Sequence, residues 1–594
     1  MPRLFVLGLA AGFLTGAFTA KALTIESGPI FTPSTNAPLA GLLQLTTDVD
    51  SRVSVSVSDG TNTWSRDFYD FGKLHSETLL GFKPGRTNQI QITCYDERRN
   101  ESEPGFCTFV TSNLPTDFPT HVVLTNQPSV MEPGFTLFMI QHNGGSAPSY
   151  ITALDASGDV VWYRPWTALD FDVRQLDDGN LFIEQSAPSN NFLEMNMLGS
   201  VVRTWTNAPD YPVDDHEGLP TQHGTILYLG HVSEIVSNFP SSTAQNAPLK
   251  TVSIDDNPVV EISASNSALI NAWSPLSVLD PTRITYLTYE FSTFGYGVDN
   301  EHANAIIEDT NDDSLIVSLR DQNAVYKFSR QTGQLKWILG AHDNWGAAWQ
   351  TKLLTPMGSP FDWNWGQHAP MLTPQHTLLL YNDGNYRANP PTPQVPDWTN
   401  YSSAEEFSID ETNMTVSEVW NSAWQTNQDR LFTGVVGKAQ WLPETHHVLV
   451  TYGSVSHINY QLPDIHQVNS TMVRLIEYTH DPIPQIVFDV SFYDPTNSSA
   501  SYYGYLCYRS SRVPDLYTHP AEPVANMTIT YDGGLPTLQF TADPVRSYEV
   551  QSSDDLIHWT TVGEPVKEND AGDYNFIDFN ETQSEARFYR IVTD

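Results

Sequence analysis

The sequence predicts an all-β chain: a six-bladed β-propeller with an N-terminal Ig-like β-sandwich and a small C-terminal β module. Three observations predict it. The 594 residues are too many for one ordinary core, and 12% aromatic residues with 40 Pro and 35 Gly suit short strands separated by turns. A degenerate hairpin recurs through the middle of the chain. Both ends alternate apolar and polar residues with the period of half-buried strands.

In chain order, residues 1–22 read as an export signal. Arg3 is its positive region, LFVLGLAAGFLTGAF an apolar core too short to span a bilayer, and Ala20-Lys21-Ala22 a small-residue cleavage pattern. The expected location is periplasmic or secreted, with no transmembrane segment. Residues 23–118 carry LLQLTTDVDSRVSVSVSDG and ETLLGFKPGRTNQIQITCYD, spaced as in an Ig-like sandwich. Cys94 and Cys107 fall in what reads as a strand pair, and an oxidising compartment would let them form a disulfide. Cys507 reads as a buried core thiol.

Residues 119–520 hold the repeat. One half is an acidic turn and an apolar strand ending in Trp: ALDASGDVVWYRPW, EMNMLGSVVRTW, NSALINAW, FSRQTGQLKWILG, SIDETNMTVSEVW and, more loosely, YTHDPIPQIVFDV. The other half is a turn and an apolar strand: LDDGNLFIE, TQHGTILYLG, DDSLIVSLR, TPQHTLLLYND and PETHHVLVTYG. One hairpin of the six thus lacks a partner strand. Such units cannot bury their faces singly, and a radial arrangement buries them all. Within residues 301–340 three strands, SLIVSLR, AVYKFSR and QLKWILG, follow a polar lead, with His302 where the first strand begins and Arg320 where it ends. Residues 521–594 form the accessory module, with Trp559 and Tyr589 read as its core.

The formal net charge of −40 excludes nucleic acid and anionic membrane surfaces as partners. Any site for an anionic substrate must therefore be a local positive island.

A polar residue stands at one phase before the apolar strand in several copies: His216, His302 and His368, with Asp172 and Lys438 at comparable places in the flanking copies. Equivalent positions of a propeller face one mouth of its channel, so these histidines, 86 and 66 residues apart, are expected to converge. A lone histidine in a strand is usually structural; three in matching phase are harder to read that way. The other fourteen, His446 and His447 among them, are read as surface or packing residues. Three imidazoles could ligate a metal ion, although the fixed cation Arg320 opposes one. Alternatively they form an oxyanion site, with Arg320 offering a planar fork to sulfate or phosphate oxygens and a neutral imidazole attacking as nucleophile. The sequence has no GxxxxGK[ST] phosphate loop, and CYRSS around Cys507 is not a formylglycine-type motif, so nucleotide-dependent transfer is disfavoured.

The run HANAI…DDSLIVSLRDQNAVYKFSRQTGQLKWILG, with DDHEG, WGQHAP and YRSSRVPDLY, resembles the bacterial arylsulfate sulfotransferases (ASST) over roughly residues 25–520. That resemblance implies an N-terminal β-sandwich on a six-bladed propeller. It implies cofactor-free, nucleotide-independent transfer of a sulfuryl group from an aryl sulfate to a phenolic acceptor, ping-pong through a sulfohistidine. His368 would be the nucleophile; His216, His302 and Arg320 would hold the sulfuryl oxygens and manage leaving-group protonation; Asn304 would help bind the donor. A homodimer follows only by analogy. Trp363, Trp365 and Tyr386 are candidates to stack on the phenol ring, with blade packing as the competing role. Two alternatives stay open: a metal-dependent propeller hydrolase or lyase using the same histidines, and a non-catalytic extracellular binding propeller.

Overall fold

A computed structural model describes residues 23–593, apart from 97–99, 143–148, 168–171, 186–188, 291–295, 397–398, 425–428, 460–470, 495–503, 518–523, 533–534, 543–547, 555–557, 568–572 and 580–586. The export signal read in residues 1–22 lies outside them. Among the described residues the regular elements are strands and single-turn 3-10 helices, and no helix is long and apolar enough to cross a membrane. The chain is all-β, its sheets antiparallel except where Thr355–Met357 joins Thr415–Asn421 in parallel. It forms two compact units, one built on residues 23–33, 41–79 and 85–112, the other on 34–40, 80–84 and 113 onward.

In the first unit the strand Gly41–Ser58 pairs with Ile25–Pro33, Thr63–Leu79 and Thr87–Asp96, and Gly105–Val110 adds to the last. Val53, Val55 and Val57 are buried and face the buried Ile90, Ile92 and Cys94, the period-two pattern read from sequence. The expected disulfide does not form. Cys94 and Cys107 do lie on paired strands, but Cys107 sits opposite Ile90, four residues from Cys94, and both are free thiols. At about 3.4 Å per residue that offset is ~13 Å, twice what a disulfide spans.

In the second unit each sequence-read hairpin is a strand pair and forms the third and fourth strands of a sheet. Its Trp has a repeated task. The indole N–H of Trp162 donates to Met197 O (2.8 Å), that of Trp205 to Ala264 O (2.8 Å), that of Trp337 to Glu411 Oε1 (2.9 Å) and that of Trp420 to Asp481 O (3.1 Å). Each acceptor lies in the hairpin turn of the next sheet, so the residue that marks the repeat also ties neighbouring sheets together. First strands pack in succession: Val213–Pro220 against Ala303–Asp309, that against His368–Leu372, then Gly437–Trp441, then Ser510–Val513. This is a propeller-like arrangement.

The partner strand missing from sequence is Phe135–His142, paired with Ser149–Leu154. Its other neighbour comes from the far end of the chain: Ser510 stands opposite Phe138. Reciprocally, Thr120–Asn126 adds to Ile486–Tyr493. The two exchanges close the arrangement and bring residues near 508 into the company of those near 302.

Beyond residue 525 the strands form two further sheets around Phe540, Tyr548 and Tyr574. Trp559 is half-buried beneath Arg590, whose Cζ lies 4.5 Å from the ring, and Tyr589 is half-buried too, so neither is a fully enclosed core residue.

Candidate active site

The sequence places His302 and Arg320 at opposite ends of one strand; the structure corrects this. The polar lead is itself a strand, Ala303–Asp309, paired antiparallel with Ser314–Leu319. Ala303 faces Leu319, and the Arg320 N–H donates to His302 O at 3.0 Å. Both side chains therefore leave from the same end of a hairpin.

His216 is delivered by a bulge. Pairing jumps from Val213↔Gly230 to Gly218↔Tyr228, five residues on one strand against two on the other, so residues 214–217 bow out of the ladder. His368 opens its own strand opposite Tyr381, where the register again breaks before Met371. His302 (φ 46°) and Ala369 (φ 46°) are left-handed, a conformation non-glycine residues adopt where surrounding structure compels it.

These irregular ends converge. The His216 and His302 rings are 4.8 Å apart, and the Tyr508 ring lies 5.8 Å from His216 and 6.0 Å from His368. Each histidine is held at Nδ1: His216 by Asp214 Oδ1 (2.5 Å), His302 by Asp299 Oδ2 (2.6 Å), His368 by Asp383 Oδ1 and Gly366 O (3.0 Å each). A backbone carbonyl can only accept, so Nδ1 of His368 carries the proton and Nε2 the lone pair. Arg320 is 1% exposed, its guanidinium on Asp321 Oδ1 (2.8 Å), Gly434 O (3.1 Å) and Glu290 Oε2 (3.4 Å), with Nε 4.0 Å from Asp383.

Charge states diverge across this small space. Burial, with Arg320, His216, His302 and Arg509 nearby, pushes His368 well below the usual imidazole range. Burial also works against a charged His302, but the Asp299 carboxylate, with Asp321 behind it, outweighs burial and raises it to about 9. At neutral pH one imidazole is neutral and the other cationic, the separation that distinguishes a nucleophile from an acid.

Asn304 is a positioning group as it stands. Its side-chain N–H donates to Gln367 O (2.8 Å), fixing the peptide before His368, while its own carbonyl accepts from Tyr508 OH (3.0 Å) and Arg509 Nη2 (2.7 Å). Asp172 and Lys438 gather around Arg509: Asp172 pairs with Arg174 (2.6 Å) and Arg509 (3.4 Å), and Lys438 donates to Ser511 Oγ (2.7 Å). Burial, reinforced by Arg174 and Arg509, lowers Lys438 to about 7. Trp363 packs beside Phe361 and His342 in an apolar cluster, Trp365 is buried, and Tyr386 stands edge-on to Tyr286.

Sequence reasoning missed Tyr508 and Arg509 as site residues. Arg509 immediately precedes Ser510–Val513, as His302 precedes its strand, and its guanidinium lies 2.8 Å from Glu217 Oε2, next to His216. The signal was the phase rule, hidden because this first strand comes from the end of the propeller segment.

The arylsulfotransferase (ASST) family profile matches residues 120–502, more than half of the chain and all of these site residues except Tyr508, Arg509 and those of the strand Ser510–Val513. The chain belongs to the arylsulfotransferase family. It is 25% identical over 333 residues to arylsulfate sulfotransferase AssT of Escherichia coli O6:H1 (strain CFT073), covering 46% of this chain and 53% of that protein. It is 24% identical over 325 residues to arylsulfate sulfotransferase AssT of Lelliottia amnigena, covering 47% and 52%. The chain spans about half the length of these curated relatives. Among solved structures, a Bacteroides caccae protein of unknown function overlaps at a TM-score of 0.34 and 10% identity over 64% of this chain and 98% of that one, too little to carry an argument.

Two groups of this arylsulfotransferase-family chain bring three metal-capable side chains together among the described residues. In the first, Asp299 is engaged by His302 and Asp321 by Arg320. In the second, Lys327 Nζ already sits among Asp309 (2.6 Å), Asp312 (2.9 Å) and Glu411 (2.7 Å). In both a protein cation occupies the carboxylates.

Proposed function

We propose that this chain transfers a sulfuryl group from an aryl sulfate to a phenol through a sulfated His368, without a nucleotide. We read residues 119–520 as a six-bladed propeller carrying the site, residues 23–118 as an Ig-like sandwich, and the location as periplasmic or secreted. What supports the mechanism is the convergence of His216, His302 and His368 around Tyr508 and the charge separation that goes with it: His368 pushed well below the usual imidazole range, His302 raised to about 9, and Arg320 and Arg509 close enough to act on His368, in a chain of net charge −40. Such an island suits a sulfate monoester whose transition state spreads charge over its equatorial oxygens.

In the first half-reaction Nε2 of His368 attacks sulfur, the N–S bond forms and the S–O(aryl) bond breaks. The His302 imidazolium gives its proton to the departing phenolate; its value of about 9 sits close to the ~10 of a phenol, which suits general acid catalysis. Arg320 and His216 steady the sulfuryl oxygens. In the second half-reaction an acceptor phenol returns a proton to His302, its oxygen bonds to sulfur and the N–S bond breaks. No proton is gained or lost over the cycle.

Incubation with 4-nitrophenyl sulfate, with and without a second phenol, tests this. Acceptor-dependent release of 4-nitrophenol and an acid-labile 35S label on His368 are expected, and His368→Asn abolishes both. Normal turnover by His368→Asn overturns the reading.

A further inference from the structure

His231 was expected to be a surface or packing residue, yet the structure ties it to the candidate site. It follows the strand Thr225–Gly230, and its N–H donates to Pro212 O (3.0 Å), which places it at the end of the hairpin where the 214–217 bulge begins. Its Nε2 lies 3.6 Å from Asp214 Oδ1, the same oxygen that His216 Nδ1 contacts at 2.5 Å. Its Nδ1 contacts both oxygens of Asp255 at 3.0 Å. Carboxylates thus flank both ring nitrogens, Asp255 within hydrogen-bond distance and Asp214 just beyond it, where it acts through its charge. The ring is stacked on Tyr296, with centroids 4.7 Å apart and planes 6° apart, which fixes its orientation.

His231 also stands at the root of a two-stranded arm, Val232–Pro240 with Leu249–Asp256, inserted between the second and third strands of its sheet. Asn257 at the other side of that root accepts from Ala303 N–H (3.1 Å), beside His302, and donates its own N–H to Glu301 Oε2 (2.8 Å). The arm root is therefore bonded to the elements that carry both His216 and His302.

We propose, on the basis of the sulfuryl-transfer reading above, that His231 is a positioning residue: the outer member of a relay Asp255–His231–Asp214–His216 that fixes the orientation and charge of His216. One carboxylate oxygen shared by two imidazoles makes the charge of each depend on the other. Both histidines in turn hold Asp214 below the usual carboxylate range despite its burial. The groups facing this relay are Asp299 and His302 from the neighbouring hairpin, Tyr508 from the closing segment, His368 across the pocket, and Glu301 beside Asn257.

The test uses the full chain as wild type, His231→Phe, His231→Gln, Asp214→Asn and the His231→Phe/Asp214→Asn double variant. Melting temperature and circular dichroism check folding. Two readouts decide: 4-nitrophenol release from 4-nitrophenyl sulfate as a function of pH, and the titration of the His216 ring followed by NMR with 13C-labelled histidine, assigned with His216→Asn. We expect His231→Phe to shift the His216 titration and lower kcat about tenfold, with partial rescue in His231→Gln. We expect no further loss on adding His231→Phe to Asp214→Asn, because the effect runs through Asp214. An unchanged His216 titration in folded His231→Phe, or additive losses in the double variant, overturns the relay. A wild type inert towards aryl sulfates overturns the sulfuryl-transfer reading instead, and the titration then still decides the coupling.

Discussion

Asp299→Asn isolates the charge separation on which the proposed chemistry depends. The substitution keeps the shape of the side chain 2.6 Å from His302 Nδ1 and removes its charge. Asp299, with Asp321 behind it, raises His302 from the ordinary 6.5 to about 9 against burial, worth roughly 3 kcal/mol. Without it, burial acts against the imidazolium with only Asp321 left to oppose it, and in the limit that Asp299 supplies the whole rise the ring returns to 6.5. At pH 8 the protonated fraction then falls from about nine-tenths to ~3%, so proton donation to the leaving phenolate should slow roughly thirtyfold. The sign follows from the roles. His302 works protonated, so activity is lost as pH rises through about 9 in the wild type and, in that limit, through 6.5 in the variant. His368 works neutral, and burial with the cations around it holds it well below the usual imidazole range, so its titration does not set the alkaline limb. The assay is the pre-steady-state burst of phenol from phenyl sulfate, whose poorer leaving group needs the proton, between pH 5.5 and 10, with thermal melts alongside. An alkaline limb that stays in place in a folded Asp299→Asn protein refutes the assignment of His302 as the acid.

The same ion pair stabilises the fold: its contribution should be full below pH 6.5 and lost as pH climbs through about 9, visible as a falling wild-type melting temperature that Asp299→Asn does not share. Because Cys94, Cys107 and Cys507 are free thiols, the unfolded protein should react with three equivalents of a thiol reagent, and reductant should leave the melting temperature unchanged. Gly453→Ala should destabilise by about 1–3 kcal/mol or more in chemical denaturation, since its Cβ would stand 2.0 Å from Cys507 O, a backbone atom at the closing segment that cannot swing aside. A wild-type denaturation midpoint in that variant would show that the closure is looser than its geometry.

What could be read from sequence was whatever each repeat does with its own residues. The Trp hairpins were legible because Trp162, Trp205, Trp337 and Trp420 perform one task, donating to the next turn, and one task leaves one spacing. The histidine phase was legible for the same reason. Contacts that cross the chain left no such mark. Phe135–His142 has one local neighbour, Ser149–Leu154, but its other neighbour, Ser510–Val513, lies hundreds of residues away, and the place of Arg509 in the phase is hidden with it. Ala303–Asp309 was taken for a polar lead because Asn304 interrupts its apolar run; Asn304 is buried there on a bond to Gln367 O that only the tertiary structure provides. The disulfide failed on register: two strands were rightly paired, but a four-residue slip between Cys94 and the position opposite Cys107 is invisible to spacing alone.

The remaining question is how so acidic a chain keeps a cation available to an anionic ester. Arg320 is fully enclosed and touches Asp321, Glu290 and Asp383, enough formal charge to cancel it more than once. Burial and the charge of Asp299 push Asp321 up to about 7, and burial pushes Asp383 well above the usual carboxylate range despite Arg320 beside it. Asp321 holds Arg320 by a hydrogen bond of 2.8 Å, whereas Asp383 lies 4.0 Å from its Nε, beyond hydrogen-bond range. In the proposed reaction, the guanidinium would offer what charge these raised carboxyls leave it to the sulfuryl oxygens. Replacing Asp383 by Asn should accordingly cost orientation of His368 Nδ1 more than it changes the field at sulfur, which would appear as a fall in kcat with KM for the aryl sulfate little altered.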